Sequence, residues 1–301
     1  MKRFQAPTLA TRNSMKRFLA ALRFLTVFPV PGSWGSAEED LARSAPCFPL
    51  VGLLLGGLGA AAAWALDRLN VPAMLAALAL VVLLLGCSGC LHLDGLSDSA
   101  DGLLCSRSRD RMLEIMKDSH VGPMGVVAVL VVLLAKFSAL ASMPSGFRWP
   151  AVLLMPLAGR AAIVVHLALL PYVRPGGLGT IFCQPVGPAC RAGLPSSRSA
   201  DPSPSADPSR SASGTHSASG TYMAAAWALG LLAAVGWGLF GPRGLAIGGV
   251  ALAAMLVSAG YLYRKLGGIT GDTLGAASEL LETAPAVMLA VWPLTLARWF
   301  P

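Results

Sequence analysis

Residues 92–104 read HLDGLSDSADGLL and follow directly on the apolar run 73–91. They set three carboxylates, Asp94, Asp98 and Asp101, at the end of a membrane-length stretch. Ionisable groups beside or inside hydrocarbon are costly, so such a cluster points to a functional site. Read as a helix continuing out of the run, the three acids fall at i, i+4 and i+7 on one face. Like charges stacked in this way repel unless a cation sits among them. Oxygen ligands without thiolates suit Mg²⁺ or Mn²⁺ over zinc. A solvated helix end normally accounts for two such acids; three in register favour a metal site.

The remainder of the chain sets this cluster in a membrane. Of 301 residues, 55% are hydrophobic and 13% charged, against about a quarter charged in a soluble domain. Runs at 47–66, 73–91, 121–141, 151–171, 223–241, 245–262 and 284–299 approach the roughly 20 residues that span a bilayer as a helix. The expected fold is all-α: a polytopic integral membrane bundle of about six or seven transmembrane helices with an N-terminal amphipathic helix. The expected divisions are a basic segment 1–30, a helical part 31–185 and a Ser/Pro-rich loop 186–221 expected to be disordered. A second helical part, 222–301, completes one catalytic membrane domain.

The stretch FLAALRFLTVFPVP at 18–31 is broken by Arg23 and lacks a small-residue cleavage site. It therefore reads as a segment lying on a membrane surface, not as a signal peptide. MKRF occurs at 1–4 and again at 15–18, which leaves both Met1 and Met15 open as the start. With seven crossings and the N-terminus inside, the polar stretches 92–120, 172–222 and 263–283 all face the cytoplasm. Seventeen of the 23 Lys and Arg lie there or in residues 1–43, as the positive-inside rule requires. The expected location is the cytoplasmic (inner) membrane. The net charge of +8 then reflects topology and anionic headgroups, and no aromatic-interleaved basic patch indicates nucleic acid. Cys87 and Cys90 form a C-x-x-C inside an apolar run and read as packing residues.

Two further stretches carry chemistry. RSRDRMLEIMKDSHVGPMG at 107–125 places Asp110, Glu114 and Asp118 on one helical face. Arg107, Arg109, Arg111 and Lys117 lie among them and suit phosphate oxygens. Local salt bridging accounts for some of these charges. His92 and His120 flank the unit. YRKLGGITGDTLGAASELLE at 263–282 offers Gly267, Gly268 and Gly271 for close backbone approach. Asp272 and Glu279 follow on one face, and Arg160, inside a span, requires a carboxylate or phosphate partner.

LHLDGLSDSADGL, RMLEIMKDSHVGPMGV and GGITGDTLGAASELLE, with RFLTVFPVP at 23–31 and FPLVGLLLG at 48–56, resemble the cobalamin synthase family. The resemblance runs over roughly residues 15–185 and 222–290; residues 1–14, the insert near 186–221, and Ser97 where the family often has Ala are departures. It implies a membrane transferase that joins adenosylcobinamide-GDP to α-ribazole or its 5′-phosphate and releases GMP, using Mg²⁺ (or Mn²⁺). The family is distantly similar to CDP-alcohol phosphotransferases, whose D-x-x-D-G opening matches Asp98 to Gly102. The Ala-Arg pair of that wider motif is missing, since 105–107 read Cys-Ser-Arg.

Metal ligation is expected from Asp94, Asp98, Asp101, Glu114 and Asp118. Substrate and phosphate contacts are expected from Arg107, Arg111, Lys117, Arg160, Gly268 and Gly271. Asp272, Glu279 and His120 are the candidates for proton transfer. Membrane lipids, further copies of the chain and other late cobalamin-pathway enzymes are the remaining expected partners. A lipid-directed CDP-alcohol phosphotransferase and a cation-coupled transporter are the competing readings. The transporter is disfavoured because the acids lie at helix ends and no inverted repeat of 92–120 occurs.

Overall fold

A bilayer offers bare backbone polar groups no partners, so the apolar runs must satisfy their own hydrogen bonds as helices. The computed structural model describes residues 9–105, 107–174, 179–183 and 218–291. Six helices within them are long and apolar enough to cross a membrane. They are α3 (Phe48–Arg68, entered through a short turn from Ala45), α7 (Pro123–Ser142), α8 (Arg148–Leu169), α10 (Ala218–Phe240), α11 (Pro242–Leu266) and α12 (Gly271–Val291). A bent pair, α4 (Ala73–Ser88) and α5 (Leu91–Leu103), makes a seventh if counted as one broken span. The chain is thus a polytopic helical membrane protein. The loop expected over 186–221 falls outside the described residues up to position 217.

Two expectations need correction. The aspartate stretch does not continue the preceding helix. Gly89 and Cys90 both take left-handed backbone angles (φ 59° and 58°), and α5 leaves α4 at 90°. The final span is also misplaced in the sequence reading: it begins at Gly271, not at 284. Glu279 and Glu282 lower the hydropathy of that stretch, and both are buried in this helix. Its start is fixed by a reciprocal cap. The Thr273 amide donates to Thr270 Oγ1 (3.2 Å) and the Thr270 amide donates to Thr273 Oγ1 (2.8 Å), a capping box with Thr in the usual Glu place.

α8 is the central element, buried along almost its whole length and packed against α3, α10 and α12. Lipid supplies no hydrophobic drive between spans, so small residues that let backbones approach take its place. A Cβ on Gly52 of α3 would sit 2.6 Å from the Pro156 carbonyl of α8. Gly159 of α8 meets Ser278 of α12 in the same manner, at 2.8 Å from its carbonyl. The N-terminal helix α1 (Leu9–Leu25) is more than a surface segment: Ala20, Ala21 and Leu25 near its end are buried. Three short helices, α2 (Glu38–Ala42), α6 (Arg109–Ile115) and α9 (Gly179–Cys183), lie in the connections. Cys47, Cys87, Cys90 and Cys105 are free thiols.

The α3–α8 contact yields a controlled prediction. Gly52→Val is expected to lower thermal stability in detergent by an overpacking cost of about 1–3 kcal/mol. Gly57→Val points into open space and is expected to be close to neutral. Melting curves followed by size-exclusion chromatography compare the two.

Candidate active site

Because α5 is helical, Asp94, Asp98 and Asp101 do share a face. What they face is set by two glycines. A Cβ on Gly95 would sit 2.7 Å from the Asp272 carbonyl, and one on Gly275 would sit 3.2 Å from the His92 carbonyl. The two backbones nearly touch there, which brings the head of α12 against α5. Asp98 consequently lies within electrostatic reach of Asp94, Asp272 and Asp101.

The counter-charge is Arg174, a residue the sequence reading overlooked. Its Nη1 lies 2.8 Å from Asp272 Oδ2. The position is built by backbone pairing between the connection after α8 and the turn before α12. The Val173 amide donates to the Ile269 carbonyl (2.9 Å), and the Ile269 amide donates to the Pro171 carbonyl (2.8 Å). Gly268 is part of this joint, since a side chain there would strike the Pro171 carbonyl. Its role here is close packing of backbone. Nε and Nη2 of Arg174 are buried and have no partner, so the guanidinium keeps two donor groups for an incoming acceptor.

A cavity of about 260 Å³ opens at this point. Asp94, Arg174, Asp272 and the start of α12 at Gly271 line one part of it; Phe24 of α1, Phe48 of α3 and Phe182 of α9 line another. The three rings touch: centroids are 6.1 Å apart for Phe24–Phe48, 5.3 Å for Phe24–Phe182 and 5.5 Å for Phe48–Phe182. No spacing rule links residues 24, 48 and 182, so this wall is visible only in the fold.

The other expected ligands are drawn elsewhere. Asp101 accepts from the amides of Gly122 (2.7 Å) and Gly125 (2.9 Å), where a carboxylate complements the N-terminus of α7. Glu114 pairs with Arg111 (2.6 Å) and Asp118 with His120 Nδ1 (2.6 Å), both in the open. The hydrogen bond from His120 holds the Asp118 carboxyl below its usual range, and the same contact raises the imidazole above its own. That contribution is complete below the ordinary imidazole pKa and fades as pH rises through the raised one. His120 is exposed and is not among the residues that line the cavity described above. Arg107 and Lys117 are exposed. Among the described residues, no three His, Cys, Asp or Glu side chains converge closely enough to cage a metal ion. The five residues grouped as ligands from the sequence are therefore not brought to one point. Asp94 and Asp98, joined by Asp272, form an open acidic arc instead.

Glu279 and Arg160 also sit apart from the cavity. Lys136 of α7 lies 2.5 Å from Glu279 and 3.0 Å from Glu282, and Arg160 of α8 pairs with Glu282. All four side chains are at most 5% exposed. Two cations and two anions make a neutral cluster within the bundle, so these mid-helix acids find their charges already matched. Removing one member of a buried set costs about 3–5 kcal/mol. Lys136→Met is therefore expected to destabilise the detergent-solubilised protein strongly. Lys136→Met combined with Glu279→Gln restores charge balance and is expected to recover part of the loss, measured by the same melting curves.

The family described as cobalamin-5-phosphate synthase matches residues 17–197 and 198–290. The chain is 35% identical over 268 residues to the adenosylcobinamide-GDP ribazoletransferase of Geotalea daltonii, covering 89% of this chain and 94% of that one. It is 37% identical over 285 residues to the enzyme of the same name from Pseudomonas aeruginosa (93% and 100% covered). The figure is 38% over 278 residues for that of Stutzerimonas stutzeri (92% and 98%). No solved structure matches the chain. By the span of the family match and the identity to these full-length relatives, the chain belongs to the cobalamin-5-phosphate synthase family.

Proposed function

We propose that the protein joins adenosylcobinamide-GDP to α-ribazole, or to its 5′-phosphate, and releases GMP. The observation that carries this reading is the meeting of Asp94, Asp272 and Arg174 at one cavity, with Asp98 in electrostatic reach of all three, in a chain of this family. A diphosphate needs its charge neutralised while one of its bridging bonds breaks. Arg174, with two unpaired donor groups, faces phosphate oxygens. A ribose hydroxyl oxygen attacks the phosphorus on the corrinoid side. The bond from that phosphorus to the bridging oxygen breaks, GMP departs with the electron pair, and Asp272 takes the hydroxyl proton.

Mg²⁺ usually binds through one or two carboxylates together with substrate phosphates, not through an all-protein cage. The open arc of Asp94 and Asp98, with oxygen donors and a surplus of negative charge, fits that mode. A bound Mg²⁺ would neutralise the diphosphate and align it. The polar connections after α5, α8 and α11 face the cytoplasm in this reading, supported by the distribution of Lys and Arg along the sequence. The membrane is then the cytoplasmic one.

The test is turnover of adenosylcobinamide-GDP and α-ribazole by the purified protein in detergent, with GMP and corrinoid product resolved by chromatography. GMP release is expected to stop with EDTA and to return with Mg²⁺. Asp272→Asn is expected to lower kcat by about 10²–10⁴-fold, and His120→Ala to stay near wild type. GMP release that ignores EDTA would remove the metal from the scheme, and full activity of Asp272→Asn would remove its role as proton acceptor.

A further inference from the structure

The cavity is not polar throughout, and its apolar part makes a choice between the two substrates. Phe24, Phe48 and Phe182 come from α1, α3 and α9, and each centroid lies within 6.1 Å of the other two. Leu167 of α8 closes the same wall. Aromatic rings gathered in offset and edge-on contacts receive a further flat ring well. A purine such as the guanine of the donor carries a hydrogen-bonding edge that loses its water partners in such a place. The lining also carries Asp94, Tyr172, His92 and the Arg174–Asp272 pair. Asp272 takes the acceptor's hydroxyl proton in the reading above, so the acceptor's ribose must reach it. A benzimidazole, which on its nucleoside has a single free ring nitrogen and no exocyclic polar group, makes few polar demands on the phenylalanine wall. A corrin macrocycle far exceeds a cavity of about 260 Å³.

We infer that the phenylalanine-lined part of this cavity seats the benzimidazole base of the acceptor nucleoside, with its ribose directed to Asp272 and Arg174. This rests on the transferase reading above and adds to it which substrate enters the cavity. The donor then presents its diphosphate from the open side, along Asp94 and Asp98. The phenylalanines are specificity residues, which touch the base and leave the reacting bond to the polar groups.

Two measurements test this, one of them independent of turnover. Equilibrium binding of α-ribazole to the detergent-solubilised protein without donor is compared for wild type and Phe182→Leu. Loss of the stacked contact is expected to weaken binding on the order of 10-fold. In steady-state kinetics the same variant is expected to raise KM for α-ribazole more than KM for adenosylcobinamide-GDP. It should also narrow the preference for α-ribazole over a purine α-ribonucleoside. Leu91, 43% exposed and part of the cavity lining, gives a second variant clear of the core. Leu91→Trp narrows the cavity and is expected to weaken α-ribazole binding with the protein still monodisperse.

Unchanged α-ribazole binding in both variants would overturn the inference, as would a KM effect confined to adenosylcobinamide-GDP. A wild-type protein that binds α-ribazole through these residues yet releases no GMP would sink the transferase reading and leave the base site standing.

Discussion

The bundle turns on one set of charges. Lys136, Arg160, Glu279 and Glu282 lie inside three packed helices, where an unmatched charge costs several kcal/mol. Matching them fixes how far α7, α8 and α12 can slide along one another, since a helix rises only about 1.5 Å per residue. Glu279 and Asp272 belong to the same helix, seven residues apart. The depth at which Glu279 meets Lys136 therefore sets the height at which Asp272 emerges, about 10 Å further along the axis. The cluster takes no part in the proposed chemistry, but it determines where that chemistry can occur.

Above it, the site is assembled by close backbone approach. Gly95 and Gly275 let α5 and α12 touch, and the pairing of residues 171–173 with 269 carries Arg174 to Asp272. No one of the acids stands out alone. Among the described residues their number against the Arg174 guanidinium leaves a surplus of negative charge, and a diphosphate with its metal has the complementary composition. Evolution of such a site requires holding like charges together, and rigid helix contacts are suited to that.

Much of this was legible in the sequence, and what was not has physical reasons. Apolar run length predicted most spans because crossing a bilayer imposes a length. The i, i+4, i+7 spacing predicted the shared face of Asp94, Asp98 and Asp101 because helical periodicity is local. Periodicity says nothing about partners far along the chain. It could not tell that Glu279 answers Lys136, and it lost the first turns of α12. It grouped Asp118 and Glu114 with Asp94 and Asp98; the fold shows each paired with an exposed basic neighbour two or three residues away. Arg174 stands alone in a proline- and glycine-rich connection, and Phe24, Phe48 and Phe182 are ordinary apolar residues in their own segments. Only the tertiary fold makes them neighbours.

The neutral cluster also bears on how the chain is made. Lys136 and Arg160 leave the ribosome well before Glu279 and Glu282, which come more than a hundred residues later. Until α12 arrives, two cations stand in a nascent bundle without their anions, and they are free to draw water or headgroups inward. Insertion of α12 ends that exposure, since its carboxylates are the matching charges. A chain cut short before residue 271 would keep both cations uncovered in the bundle.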